Sequence, residues 1–142
     1  MRVDVGTDLI EVERIQEAML RHPEGFGKRV FTAVENAYCG KKKNAYVHFA
    51  GRFAAKEAVL KALGIGLRGG VGWTDLEIVN DAMGKPLVTL SGKALEISKQ
   101  KGTVQLEISI THCKNFANAV AVLVRNPPPT PPSPARGEGE RL

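Results

Sequence analysis

The chain has 142 residues, of which 43% are hydrophobic and 25% charged, and that usage excludes a fibrous, collagenous or wholly disordered protein. Aromatics are only 6%, so a core must rest on Val, Leu, Ile and Ala. Lys and Arg outnumber Asp and Glu by 20 to 15; the net +5 suits an acidic partner but does not choose among nucleic acid, a phosphorylated metabolite and an acidic protein.

Residues 2–8 alternate, with Val3, Val5 and Thr7 against Asp4, Gly6 and Asp8, which predicts a short strand carrying two carboxylates on one face. Val12, Ile15, Ala18 and Met19 recur at helical spacing over 11–21. Thr32 and Glu35 form a capping box with Phe31 at the staple position, predicting a short helix that ends near Gly40, before Lys41, Lys42 and Lys43. A long helix is expected over 48–63, with Ala50, Phe53, Ala54, Ala58 and Ala62 as a small-residue face and Gly64 as its stop. The glycines from Gly64 to Gly72 predict a mobile loop. Residues 73–79 read as a strand, and Met83-Gly84-Lys85-Pro86 as a turn into a strand over 87–90. Ser91 is placed to cap a helix that closes at Gly102. Two strands, 105–111 and 119–124, are joined by a short connection that makes them antiparallel; the second is apolar throughout, as a central strand would be. The fold class is α+β, a small antiparallel sheet packed with helices.

Composition changes after Arg125. The segment NPPPTPPSPARGEGERL holds six of the eight prolines and cannot bury enough apolar surface to offset the entropy of ordering. A folded domain over 1–125 and a disordered tail over 126–142 are expected. Cys39 and Cys113 lack CxxC spacing, so neither a disulfide framework nor a cysteine zinc site is indicated. The first residues lack a signal peptide's apolar core, and no window approaches the roughly 18 apolar residues of a membrane helix. A cytoplasmic protein without membrane association follows.

Three features could carry chemistry. Asp8 ends the first strand, although aspartate there often only closes a turn. In Arg52-Phe53-Ala54-Ala55-Lys56-Glu57-Ala58-Val59-Leu60-Lys61, the residues Phe53, Glu57 and Lys61 share one helix face. An ordinary surface pair of Glu57 with Lys61, worth about 0.3–0.5 kcal/mol, would account for two of them. In Ser109-Ile110-Thr111-His112, polar side chains and an imidazole emerge at a strand end.

Together these segments resemble one family. GTDLIEVERI, AGRFAAKEAVLKALGIGL, GKPLVTLSG and EISITHCKNFANAVAV are similar, in order and spacing, to the small bacterial holo-(acyl carrier protein) synthases, which are phosphopantetheinyl transferases. The resemblance covers about residues 3–125. It implies transfer of the phosphopantetheine arm from coenzyme A to a serine of an apo-acyl carrier protein, as in fatty-acid biosynthesis, with adenosine 3′,5′-bisphosphate as the other product. It implies Mg²⁺ on Asp8 and Glu57, a phosphate contact from Lys61, and His112 near the diphosphate with Ser109 and Thr111 as neighbours. Such chemistry rests on neutralising a diphosphate and aligning a nucleophile. Glu57, directly or through a metal-bound water, is the candidate base, with a water relay positioned by Asp8 as the alternative. Arg52 and the Gly64-Ile65-Gly66 backbone are expected to meet the adenosine end. The resemblance also implies a homotrimer with active sites where subunits meet, which would let Asp8 and Glu57 come from different chains. It further implies that the acidic carrier docks on the first helix through Arg14 and Arg21, with Met19 as an apolar contact.

Two rivals stay in view. A small RNA-binding domain would use the charge and Lys41–Lys43, but it lacks the aromatic stacking residues that such sheets carry, so no nucleic-acid partner is expected. An enzyme acting on another nucleotide could use the same carboxylate pair.

Overall fold

The computed structural model describes residues 1–67 and 69–127. The elements run β1 (Arg2–Glu11), α1 (Val12–Arg21), α2 (Phe26–Val30), α3 (Ala33–Gly40), α4 (Ala45–Leu63), a 3-10 turn (Trp73–Asp75), β2 (Leu76–Asn80), β3 (Pro86–Leu90), α5 (Gly92–Gln100), β4 (Thr103–His112) and β5 (Phe116–Arg125). Three strands form an antiparallel sheet in the order β1-β5-β4, and β2 and β3 form a separate antiparallel pair. The apolar β5 is the central strand, as its composition predicts.

Helix α4 lies across one face of this sheet. Ala54, Ala58 and Ala62 on the helix and Ala117, Ala119, Ala121 and Leu123 on β5 are fully or almost fully buried. These small side chains let two backbones approach closely, and Gly6 on β1 carries that furthest. A Cβ there would overlap the Ala58 carbonyl and stand 2.7 Å from the Ala62 nitrogen. The Asp4-Gly6-Asp8 face of β1 therefore turns inward to α4, and Val3 and Val5 turn outward. Gly64 ends α4 in the left-handed conformation, φ 71°, where a side chain would be strained.

Thr32 and Glu35 make the expected capping box at α3. Glu35 has a second role that the motif hides. It is wholly buried, pairs with the equally buried Lys56 of α4 at 2.7 Å, and accepts from the Ile78 amide at 2.7 Å. The Lys56 ammonium also donates to the carbonyls of Val30 at 2.7 Å and Trp73 at 3.2 Å. Burial pulls its pKa below the ordinary lysine value, and the Glu35 carboxylate opposes the fall.

Several expectations are corrected. Residues 73–79 are not one strand: Trp73–Asp75 forms a 3-10 turn, because the Asp75 carboxylate accepts from the amides of Gly72 and Ala94. The same carboxylate meets the first turn of α5, and Ser91 holds the N-cap position without a capping bond from its own side chain. The helix α2, five residues interrupted by Gly27, has no periodicity long enough to read. Helix α4 begins three residues before the expected start. The tail expected over 126–142 lies outside the described residues from position 128 onward, as does Arg68 in the glycine-rich loop. Among the described residues, no helix is long and apolar enough to cross a membrane.

Candidate active site

Asp8 and Glu57 face one another across the β1–α4 contact. Both line a cavity of about 330 Å³ whose apolar wall includes Ile10, Phe26 and Phe53 and whose rim carries Arg14. Burial pushes the Glu57 carboxyl above its ordinary value, the Asp8 charge adds to the rise, and Lys61 opposes it. Lys61 does not pair with Glu57 on the helix surface. Its ammonium crosses to β1, donating to the Thr7 carbonyl at 2.9 Å and to the Asp8 carboxylate at 3.3 Å. The ordinary helix-surface pair is thus not what the structure contains. Asp8 and Glu57 meet within a single chain, because the small residues along β1, α4 and β5 bring these 49 residues of separation together.

A second group lies on the opposite side of α4. Arg52 and Glu57 are about 140° apart around the helix at 3.6 residues per turn. Arg52 is 4% exposed; its Nη2 donates to Asn80 Oδ1 at 2.7 Å, and its guanidinium stacks 4.5 Å over the Tyr38 ring. The Nε of Arg52 is buried without a partner. His112, at the end of β4, stands edge to face with His48 of α4, their ring centroids 5.4 Å apart. Burial holds His48 below the ordinary histidine pKa, and His112, Arg52 and Lys42 add to the depression. These residues line a cavity of about 170 Å³ with Tyr38, Asn80 and Pro86. His48, Tyr38 and Asn80 escape sequence reading because each stands alone in its own segment.

Other expected residues are not gathered here. Ser109 and Thr111 pair across from Val120 and Asn118 on the open face of the sheet, whereas parity puts His112 on the α4 side. Their side chains and the His112 imidazole lie on opposite faces of the sheet. Gly64 and Gly66 follow the C-terminal end of α4, with Gly64 about 18 Å along the axis from Arg52 at 1.5 Å per residue. Gly64 instead borders a cavity with Lys61, Lys101, Arg2 and Arg125. On α1, Arg14 and Arg21 are exposed as expected. Met19 is half-buried and leans toward Gly27, because α2 packs against that side of the helix. Leu20, 62% exposed, is the apolar side chain that α1 displays.

Two carboxylates on one cavity, with a lysine bonded to one of them, are a set that suits the handling of a phosphoryl group. The sequence profile of the 4′-phosphopantetheinyl transferase superfamily matches residues 4–121. The holo-[acyl-carrier-protein] synthase of Caldanaerobacter subterraneus subsp. tengcongensis is 45% identical over 124 residues, 87% of this chain and 96% of the relative. That of Geotalea daltonii is 48% identical over 118 residues, 83% of this chain and 94% of the relative. Among solved structures, the Neisseria meningitidis holo-[acyl-carrier-protein] synthase superposes with a TM-score of 0.79 at 28% identity, covering 86% of this chain and 98% of that one. The Helicobacter pylori enzyme, solved in complex with coenzyme A, gives 0.74 at 31% identity, covering 84% and 99%. The chain belongs to the 4′-phosphopantetheinyl transferase superfamily.

Proposed function

We infer that the chain transfers the 4′-phosphopantetheine arm from coenzyme A to a serine hydroxyl of an apo-acyl carrier protein, as holo-[acyl-carrier-protein] synthases do. The observation that carries this reading at the level of residues is the meeting of Asp8 and Glu57 on one cavity, with Lys61 bonded to the Asp8 carboxylate. Glu57 is the group placed to accept the serine proton. Lys61, half-exposed and already held to β1, is placed to meet a diphosphate oxygen.

The donor set fits a divalent cation. Two carboxylates converge on one cavity, the charge of one makes the other harder to ionise, and Lys61 opposes that rise. Mg²⁺ takes one or two carboxylates and leaves its other positions to water and phosphate oxygens. Asp8 and Glu57 would hold it, and when bound it would supply charge neutralisation for the diphosphate.

The Arg52–His112 cavity is our choice for the adenosine end, since it offers a buried guanidinium with an unused Nε and two imidazoles. It lies across α4 from the carboxylates, so one chain does not join the two halves. We therefore read each active site as formed between copies, the carboxylate face of one meeting the Arg52 cavity of the next in a homotrimer. The open face of the sheet supports this. Val3 and Val5 of β1 are 56% and 61% exposed and stand in register with Val124 and Val122 of β5, a stripe of apolar surface that a second copy would cover. The acidic carrier is placed on α1, where Arg14 opens into the same cavity as Asp8 and Glu57.

The test is the intact mass of an apo-acyl carrier protein incubated with the chain, coenzyme A and Mg²⁺. One phosphopantetheine arm should be added per carrier. Consumption of coenzyme A without carrier modification would instead indicate a nucleotide hydrolase, and an unchanged carrier with unchanged coenzyme A would overturn the reading.

A further inference from the structure

The cavity beside β4 contains one imidazole, His48, to which no motif gives a role. His48 and His112 face each other edge to face, and Arg52 brings a permanent charge whose Nε has no partner. Lys42 lies 4.6 Å over the Tyr38 ring, at the turn between α3 and α4. The groups facing His48 are thus Tyr38 from α3, Lys42 from the turn, Arg52 from α4 and His112 from β4. Among the described residues, no carboxylate lines the cavity.

Resting on the reading that coenzyme A binds here, we propose that His48 forms with Arg52 and His112 a proton-linked clamp for a phosphomonoester dianion, the His48 imidazole taking up a proton as the ligand binds. In the ligand-free chain, burial and the neighbouring cations keep His48 mostly neutral at physiological pH. A dianion among the same groups reverses the electrostatic balance and favours imidazolium. By linkage, the proton taken up on binding makes the affinity rise as pH falls. Coenzyme A carries one phosphomonoester, the 3′-phosphate, whose second pKa of about 6 leaves it almost wholly dianionic at pH 7.5, so the ligand itself releases little. Dephospho-coenzyme A keeps the diphosphate and lacks this group.

Calorimetric titration of the full chain at pH 7.5, in two buffers of different ionisation enthalpy, counts the protons. Coenzyme A should take up roughly 0.3–1 proton per site and bind about tenfold more tightly at pH 6.5 than at pH 8. Dephospho-coenzyme A should show neither effect, and His48→Gln should remove at least half of the uptake. Coenzyme A binding with buffer-independent heat, equal uptake with dephospho-coenzyme A, or unchanged uptake in His48→Gln would each overturn the clamp while leaving the transferase reading intact. Failure of coenzyme A to bind at all would overturn both.

Discussion

At the scale of single residues, Glu57 is partly buried beside Asp8, and both effects raise the pKa of its carboxyl. Glu57→Gln keeps its shape and removes its charge and its ability to take a proton. Turnover in the carrier-mass assay should fall at least ~10²-fold, and excess Mg²⁺ should recover little of it. On the proposed assignment Asp8→Asn removes a metal ligand and not the base, so raising Mg²⁺ should restore part of its rate. Near-normal turnover in Glu57→Gln would remove the residue from the site. Asp4, two residues before Gly6 on the same face, has a structural role that pH can reveal. Its hydrogen bond from Arg125, at 2.7 Å, is the main reason its carboxyl sits below the ordinary value, with the charges of Arg125 and Arg2 adding to a fall that burial resists. A depressed folded pKa gives stability that is present above the unfolded value and lost as pH falls through the folded one. Asp4→Asn should therefore melt below wild type at pH 7, and the gap should close as pH drops below 3.8, the value of an unperturbed aspartate.

At the scale of elements, the Glu35–Lys56 pair ties α2, α3, α4, the 3-10 turn and β2 together through buried bonds. Removing one partner leaves the other charge buried and uncompensated, so Lys56→Met should cost about 3–5 kcal/mol in urea unfolding. The Lys56→Met, Glu35→Gln double variant should lose less than the two single losses summed. Additive losses would show that the pair is not coupled. This pair also marks the limit of what the sequence discloses. Thr32 and Glu35 are readable as a cap because capping is local, but Glu35 looks the same whether its carboxylate faces water or a lysine from another helix. Glu57 and Lys61 are readable as one face of α4 because one helical turn separates them, and Asp8 joins them only through the fold. On β1, alternation shows two faces without saying which is inner. Polar Asp4 and Asp8 go inward because Gly6 admits α4 and because Arg125 and Lys61 await the carboxylates. The cavity of Arg52 gathers Tyr38, His48, Asn80 and His112 from four elements, and no periodicity announces such a set.

At the scale of the whole molecule, the apolar stripe of Val3, Val5 and Val122 and the division of the site by α4 call for the same arrangement. Val5→Glu places a charge in the middle of the stripe. It should shift the mass measured by light scattering from trimer toward monomer and abolish transfer, while circular dichroism stays that of the folded chain. A Val5→Glu protein that remains trimeric would move the interface elsewhere. Whether two copies build each site is tested most directly by complementation. Glu57→Gln spoils the carboxylate half and Arg52→Met the cationic half, and each variant alone should be nearly inactive toward the apo carrier. Unfolded and refolded together in equal amounts, they should regain about one quarter of wild-type transfer, the fraction of sites in random trimers that combine two intact halves. Activity no higher than the two variants measured apart would contradict a site shared between chains.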